Sequence, residues 1–227
     1  MWLGATVAAS FLVLIIFGVE IYRTAPPFPT KIVVSDGEVL YEGQDIKDGQ
    51  NVWQSMGGQT VGSIWGHGAY IAPDWNADYL HRETEMLLDL LAQKDGKTYK
   101  DLPEDEQAKY LVQLRKELRT NTYDATSGVI TFSPERAQVA RALADYYTKL
   151  FMDDPSMDHV RKSYAIPKGA IKDPARMAQM NAFFTWTTWV CSTNRPGSDV
   201  TYTNNWPYEP VIGNKPSTSL QMWSGFS

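Results

Sequence analysis

At 227 residues and 43% hydrophobic, the chain is long enough for one ordinary domain with its own core and some additional segments. Its net charge of -5, from 21 basic and 26 acidic residues, offers no basic excess for a nucleic-acid partner, and none is expected. The single cysteine, Cys191, excludes an internal disulfide, a CxxC zinc site and a doubly attached c-type haem.

Residues 2–19, WLGATVAASFLVLIIFGV, carry no charge. As a helix this run spans about 27 Å, close to the thickness of a bilayer's hydrocarbon core. No basic region precedes it and it is long for a signal peptide, so residues 1–23 are expected to be a retained transmembrane anchor. Its orientation is weakly determined, because no Lys or Arg precedes it and only Arg23 and Lys31 follow closely. The next stretch, RTAPPFP, reads as a stiff exit linker, since proline stops the helix and favours extended backbone.

KIVV and EVLY, separated by Ser35-Asp36-Gly37, predict a small β-hairpin, because Asp-Gly tolerates the positive φ that such a turn needs. A short helix follows over Gln44–Met56. A longer one covers Asp74–Ala92, with Asp74 as N-cap and Leu80, Leu87, Leu88 and Leu91 as its apolar side. PEDEQAKYLVQLRKELR has its acids early and its bases late, which suits the helix dipole, and reads as a solvated helix. Ser133-Pro134-Glu135 opens the best-patterned helix, with Val139, Leu143, Tyr146, Tyr147 and Leu150 on one face. Asp173-Pro174 opens the last, RMAQMNAFFTWTTWV, which is apolar on nearly all sides towards its end and needs a partner or a membrane interface there. A Gly-, Pro-, Asn- and Trp-rich loop runs on from it.

Motifs for common chemistries are absent: there is no HExxH, GxSxG, Walker A or GxGxxG, and Gly66-His67-Gly68 is too short to cradle a dinucleotide. The histidines, His67, His81 and His159, lie far apart. His81 and Glu85 share a helix face at i, i+4, which is compatible with a metal-ligand pair but also with a surface hydrogen bond, and no third ligand is in view. Cys191, at an apolar helix end, reads as a small buried hydrophobe rather than a nucleophile. No catalytic residue is identified.

The most informative stretch is Gln50–Trp75, QNVWQSMGGQTVGSIWGHGAYIAPDW, where Trp53, Trp65 and Trp75 stand among several glycines. It resembles the haem segment of the membrane-anchored cytochrome c subunit of nitric oxide reductases, W-x4-CxxCH followed by GxGAYxAPE. The spacing from Trp53 to Asp74 is kept without gaps, with Gly58 and Val61 at the thioether cysteine positions and Gly62 at the proximal histidine position. GSIWGHGAYIAPDWNADYLHRE and FFTWTTWVCSTNRPGSDVTYTNNWPYEPVIGNKPST extend the resemblance to the N-terminal part of quinol-dependent nitric oxide reductases, in the haem-copper oxidase superfamily. Residues 94–122 match only in general character.

That resemblance implies a mainly α fold: one N-terminal transmembrane helix plus a cytochrome c-like ectodomain with a small β-hairpin. The anchor would occupy residues 1–23, the haem-free periplasmic domain 24–172, and a lead into the catalytic membrane domain 173–227. It implies a single-pass protein of a bacterial or archaeal cytoplasmic membrane, with its ectodomain on the periplasmic or extracellular side. The domain would be a non-catalytic part or subunit of an enzyme of denitrification, with a multi-helix membrane partner, quinol and membrane lipid. No cofactor is expected to be covalently bound in this chain, while the whole enzyme would carry haem b, haem b3, non-haem iron and calcium. Gly68 and Tyr70 match positions that help bind that calcium, and backbone carbonyls are suitable hard ligands for it. Trp53, Met56 and Trp65 are expected to fill the vacated haem volume, since a large apolar void is costly. The other readings are the same region of a nitric oxide dismutase and a stand-alone membrane-anchored binding or assembly module.

Overall fold

The computed structural model describes residues 2–66 and 69–218. The first helix, α1 (Trp2–Thr24), has no buried residue and is long and apolar enough to cross a membrane. It ends where the sequence turns to proline, and the chain then returns directly to the body of the protein. Trp186 donates its indole N–H to the Pro27 carbonyl at 3.2 Å, and the Phe28 ring lies 4.3 Å from that of Trp186. The exit linker is therefore fastened to the domain within a few residues of the anchor.

The expected hairpin forms from β1 (Lys31–Val34) and β2 (Val39–Glu42), with the Asp36 carboxylate accepting from the Glu38 N–H across the turn. It is half of a larger sheet. β4 (Val129–Phe132) runs parallel to β1, and β3 (Tyr123–Asp124) pairs antiparallel with β4, giving the order β2-β1-β4-β3. Alternation puts Ile32, Val34, Ile130 and Phe132 on the buried face, where they meet the helices.

Six further helices complete the described fold: α2 (Gly43–Ser55), α3 (Trp75–Lys94), α4 (Glu104–Arg119), α5 (Pro134–Phe151), the short α6 (Asp158–Ser163) and α7 (Pro174–Ser192). The three N-caps work as the sequence predicts. Asp74 accepts from the N–H groups of Asn76 and Ala77, Ser133 from Arg136, and Asp173 from Ala175. α4 differs from its expectation as a solvated helix, because Tyr110, Leu114 and Leu118 recur every four residues and are buried against its neighbours. Its charges lie on the other sides and mask that stripe.

α7 is the centre of the core, and its near-uniform apolarity is explained by contacts with α2, α3 and α5 rather than with a membrane. The closest approach is to α2. A Cβ added at Gly49 would lie 2.0 Å from the Gln179 carbonyl oxygen, so the two helices cross backbone to backbone. Across the core, α3 and α5 are joined by a fully buried ion pair, Arg136 Nε to Glu83 Oε1 at 2.8 Å. Burial pushes the Glu83 carboxyl up, against the opposing pull of Arg136. The guanidinium also lies 4.3 Å over the Phe132 ring, which links the pair to the sheet.

Candidate functional site

The segment between α2 and α3 is a sequence of tight turns. Gly57, Gly58 and Gly62 have φ of 122°, 52° and 121°, in the region where side chains are disfavoured. Gly62 is the informative position. A Cβ there would lie 2.2 Å from Trp75 Nε1 and 2.7 Å from the Pro73 carbonyl oxygen. The Trp75 indole thus closes the direction that a histidine at this position would take, and it donates to the Val61 carbonyl at 2.8 Å. With no cysteine at Gly58 or Val61 either, these three positions offer no thioether attachment and no axial histidine.

Trp75 is the hub of what lies behind that position. It is fully buried and meets Phe151, Tyr164 and Tyr147 edge-on at 5.0, 6.0 and 6.2 Å, with Phe184 stacked at 6.1 Å. This corrects the expectation that Trp53, Met56 and Trp65 do the filling. Trp53 and Met56 lie at the margin, partly buried against the core, and Trp65 is 37% exposed. Its indole donates to the Thr187 carbonyl at 3.1 Å and its ring meets Trp186 edge-on at 5.8 Å, so it covers α7 from outside. A shallow cavity of about 310 Å³ lies beside Met56, lined also by Val52, Ser55, Ile171 and Arg176, and does not reach Trp53 or Trp65. The sequence marks three tryptophans alike. Only Trp75 also opens a helix whose cap, Asp74, fixes it in place.

Asp74 clamps the segment. Its carboxylate accepts from Ser63 Oγ at 2.7 Å, Gly66 N at 2.6 Å, and Asn76 N and Ala77 N at 3.0 Å each. Burial raises its carboxyl above the ordinary aspartate value, and those donors oppose the rise by stabilising the charged form. Asn76 continues the clamp, accepting from Trp65 N at 2.9 Å and donating to Thr187 Oγ1 at 2.8 Å. From the C-terminal loop, Trp206 donates to the Gly66 carbonyl at 2.9 Å. The outer turn is closed by Ala69 N to the Ala72 carbonyl at 3.0 Å, with the Tyr70 side chain fully in solvent. Gly68, the other expected calcium position, and His67 lie outside the described residues.

The remaining candidates are placed as follows. Cys191 is fully buried, and burial, with Asp74 nearby, pushes its thiol well up, so it is a packed hydrophobe and no nucleophile. His159 is exposed on α6. His81 Nε2 lies 3.8 Å from Glu85 and its Nδ1 3.1 Å from Glu209, a partner 128 residues on that sequence spacing could not reveal. Among the described residues no group of three or more His, Cys, Asp and Glu side chains converges as a metal site.

These features define a mainly helical domain behind a membrane-length helix, with a turn-rich segment at Gly57, Gly58 and Gly62 packed on the buried Trp75. Residues 29–208 match the family model for the cytochrome c-like domain of the nitric oxide reductase protein NorB, and the chain belongs to that family. A comparison with curated proteins gives no match. The family makes the chain part of a nitric oxide reductase, a protein that associates with a catalytic membrane subunit.

Proposed function

We propose that the chain is the anchored, non-catalytic N-terminal part or subunit of a quinol-dependent nitric oxide reductase, in which 2 NO and a quinol give N2O, water and quinone. The observation that carries this reading is the closure of the proximal position by Trp75 at Gly62. A water-soluble donor needs a haem on the domain it docks with, whereas a quinol brings its electrons within the bilayer. A haem frame filled by packing suits the second route. The domain then acts by its shape: α1 anchors it, the fastened linker holds it against the membrane, and it caps the periplasmic face of the catalytic partner. The Gly68 and Tyr70 carbonyls would supply hard oxygen ligands to a calcium ion shared with that partner.

The test is to purify the full-length protein with its membrane partner and feed it NO with either a quinol or a reduced soluble cytochrome c. N2O formation with quinol alone is expected. Turnover with the cytochrome at a comparable rate would overturn the donor assignment, and release of N2 and O2 would identify a dismutase instead. Co-purification without haem b or a multi-helix partner would leave the binding-module reading in its place.

A further inference from the structure

His81 sits on α3 where the C-terminal segment folds back on it. Its Nδ1 is 3.1 Å from Glu209 Oε2, and Glu209 is 7% exposed and fixed from the other side, its Oε1 accepting from Val211 N at 3.1 Å. A carboxylate can only accept, so Nδ1 carries a proton, and in the neutral form of that ring the lone pair is on Nε2. Nε2 faces Glu85 Oε2 at 3.8 Å, too far for a hydrogen bond. In that form two groups that carry lone pairs face one another across a gap, on side chains still about half exposed. Among the described residues, the other charge beside this carboxylate is Lys100 Nζ, 3.9 Å from Glu85 Oε1.

We propose that His81 Nε2 and Glu85 bind a divalent first-row metal ion, of which Zn2+ is the representative, with Glu209 as a positioning residue behind the histidine. Imidazole with carboxylate suits such ions. A carboxylate on the far ring nitrogen is the arrangement that orients a ligand histidine and raises its basicity. Metal–nitrogen and metal–oxygen bonds of tetrahedral zinc bring the two ligand atoms to about 3.3 Å, so the gap closes by about half an ångström through side-chain rotation. With two protein ligands, water fills the remaining positions. Because Glu209 belongs to the C-terminal segment, the ion strengthens the hold of that segment on α3. The proposal stands apart from the reductase reading, since it uses neither the haem frame nor the donor.

The experiment is a Zn2+ titration of the full-length protein in detergent by calorimetry, with Cu2+ as a spectroscopic probe for nitrogen ligation. Wild type is expected to bind one Zn2+ that His81→Ala abolishes. Glu209→Gln is expected to weaken it between about ten- and a hundredfold, and Glu85→Gln, which alters one of the two protein ligands, by at least as much. His159→Ala is the control and leaves the isotherm unchanged. Circular dichroism of each variant separates loss of the ion from loss of fold. An isotherm of His81→Ala that overlays wild type, or no heat from wild type at millimolar Zn2+, overturns the proposal. Equal binding by Glu209→Gln removes Glu209 from it.

Discussion

Helices α1 and α7 look alike in composition and are opposite in circumstance. Both are apolar on nearly every side, yet α1 has no buried residue and α7 is buried through all of its second half. The difference lies in their few polar groups. In α1, Thr6 Oγ1 and Ser10 Oγ donate back to the carbonyls of Trp2 and Thr6, at 3.0 and 2.9 Å, and so serve themselves. In α7 the Thr185 and Thr187 hydroxyls also donate back, to the carbonyls of Asn181 and Phe184, but they bond sideways as well, to Tyr79 and Asn76 on α3 at 3.1 and 2.8 Å, and Asn181 Nδ2 reaches Thr148 Oγ1 on α5 at 3.1 Å. Uniform apolarity says only that a helix needs apolar surroundings. The bonds of its minority polar groups say whether those surroundings are lipid or protein.

Four substitutions would break or sharpen that contrast. Trp75→Ala removes the hub against α7 and is expected to cost about 4 kcal/mol by denaturant unfolding, while membrane association stays intact. Leu14→Arg does the reverse, with a cost of about 3 kcal/mol for insertion, seen as loss from the carbonate-washed membrane fraction with an unchanged ectodomain transition. Asn76→Ala leaves Trp65 N and Thr187 Oγ1 without their partner and is expected to lower stability by about 2 kcal/mol. Ser10→Ala deletes a bond made within α1 alone, and its effect on the ectodomain midpoint should fall below about 0.5 kcal/mol. If Asn76→Ala were as silent as Ser10→Ala, the lateral bonds of α7 would not be what distinguishes it.

The parts of this fold that rest on neighbouring residues were legible in the sequence. The caps at Asp74, Ser133 and Asp173, the Asp36-Gly37 turn and the anchor each declare themselves within a few residues. What was not legible depends on distant partners. Four residues, VITF, give no sign that they will pair in parallel with KIVV, and Glu83 gives none that Arg136 will neutralise it 53 residues later. The site divides in the same way. The expectation for Gly58, Val61 and Gly62 comes from the resemblance to a c-type haem segment, but that Trp75 rather than Trp53 or Trp65 is the buried hub depends on which indole the turn aims inward. In α4 three buried side chains stand among many charges and average out to a polar helix, which hides its buried stripe.

The parallel pairing of β1 with β4 also sets a timetable. β1 is synthesised well before β4, but Thr30 bonds at 98 residues' remove to Gly128, and α2 cannot seat Gly49 until Gln179 has been synthesised. At ordinary translation speeds that interval is on the order of ten seconds. Throughout it the first strand, the second helix and Trp75 wait without their distant partners. The newborn domain is therefore at its most vulnerable, to proteases and to its own neighbours, before α7 arrives to close it.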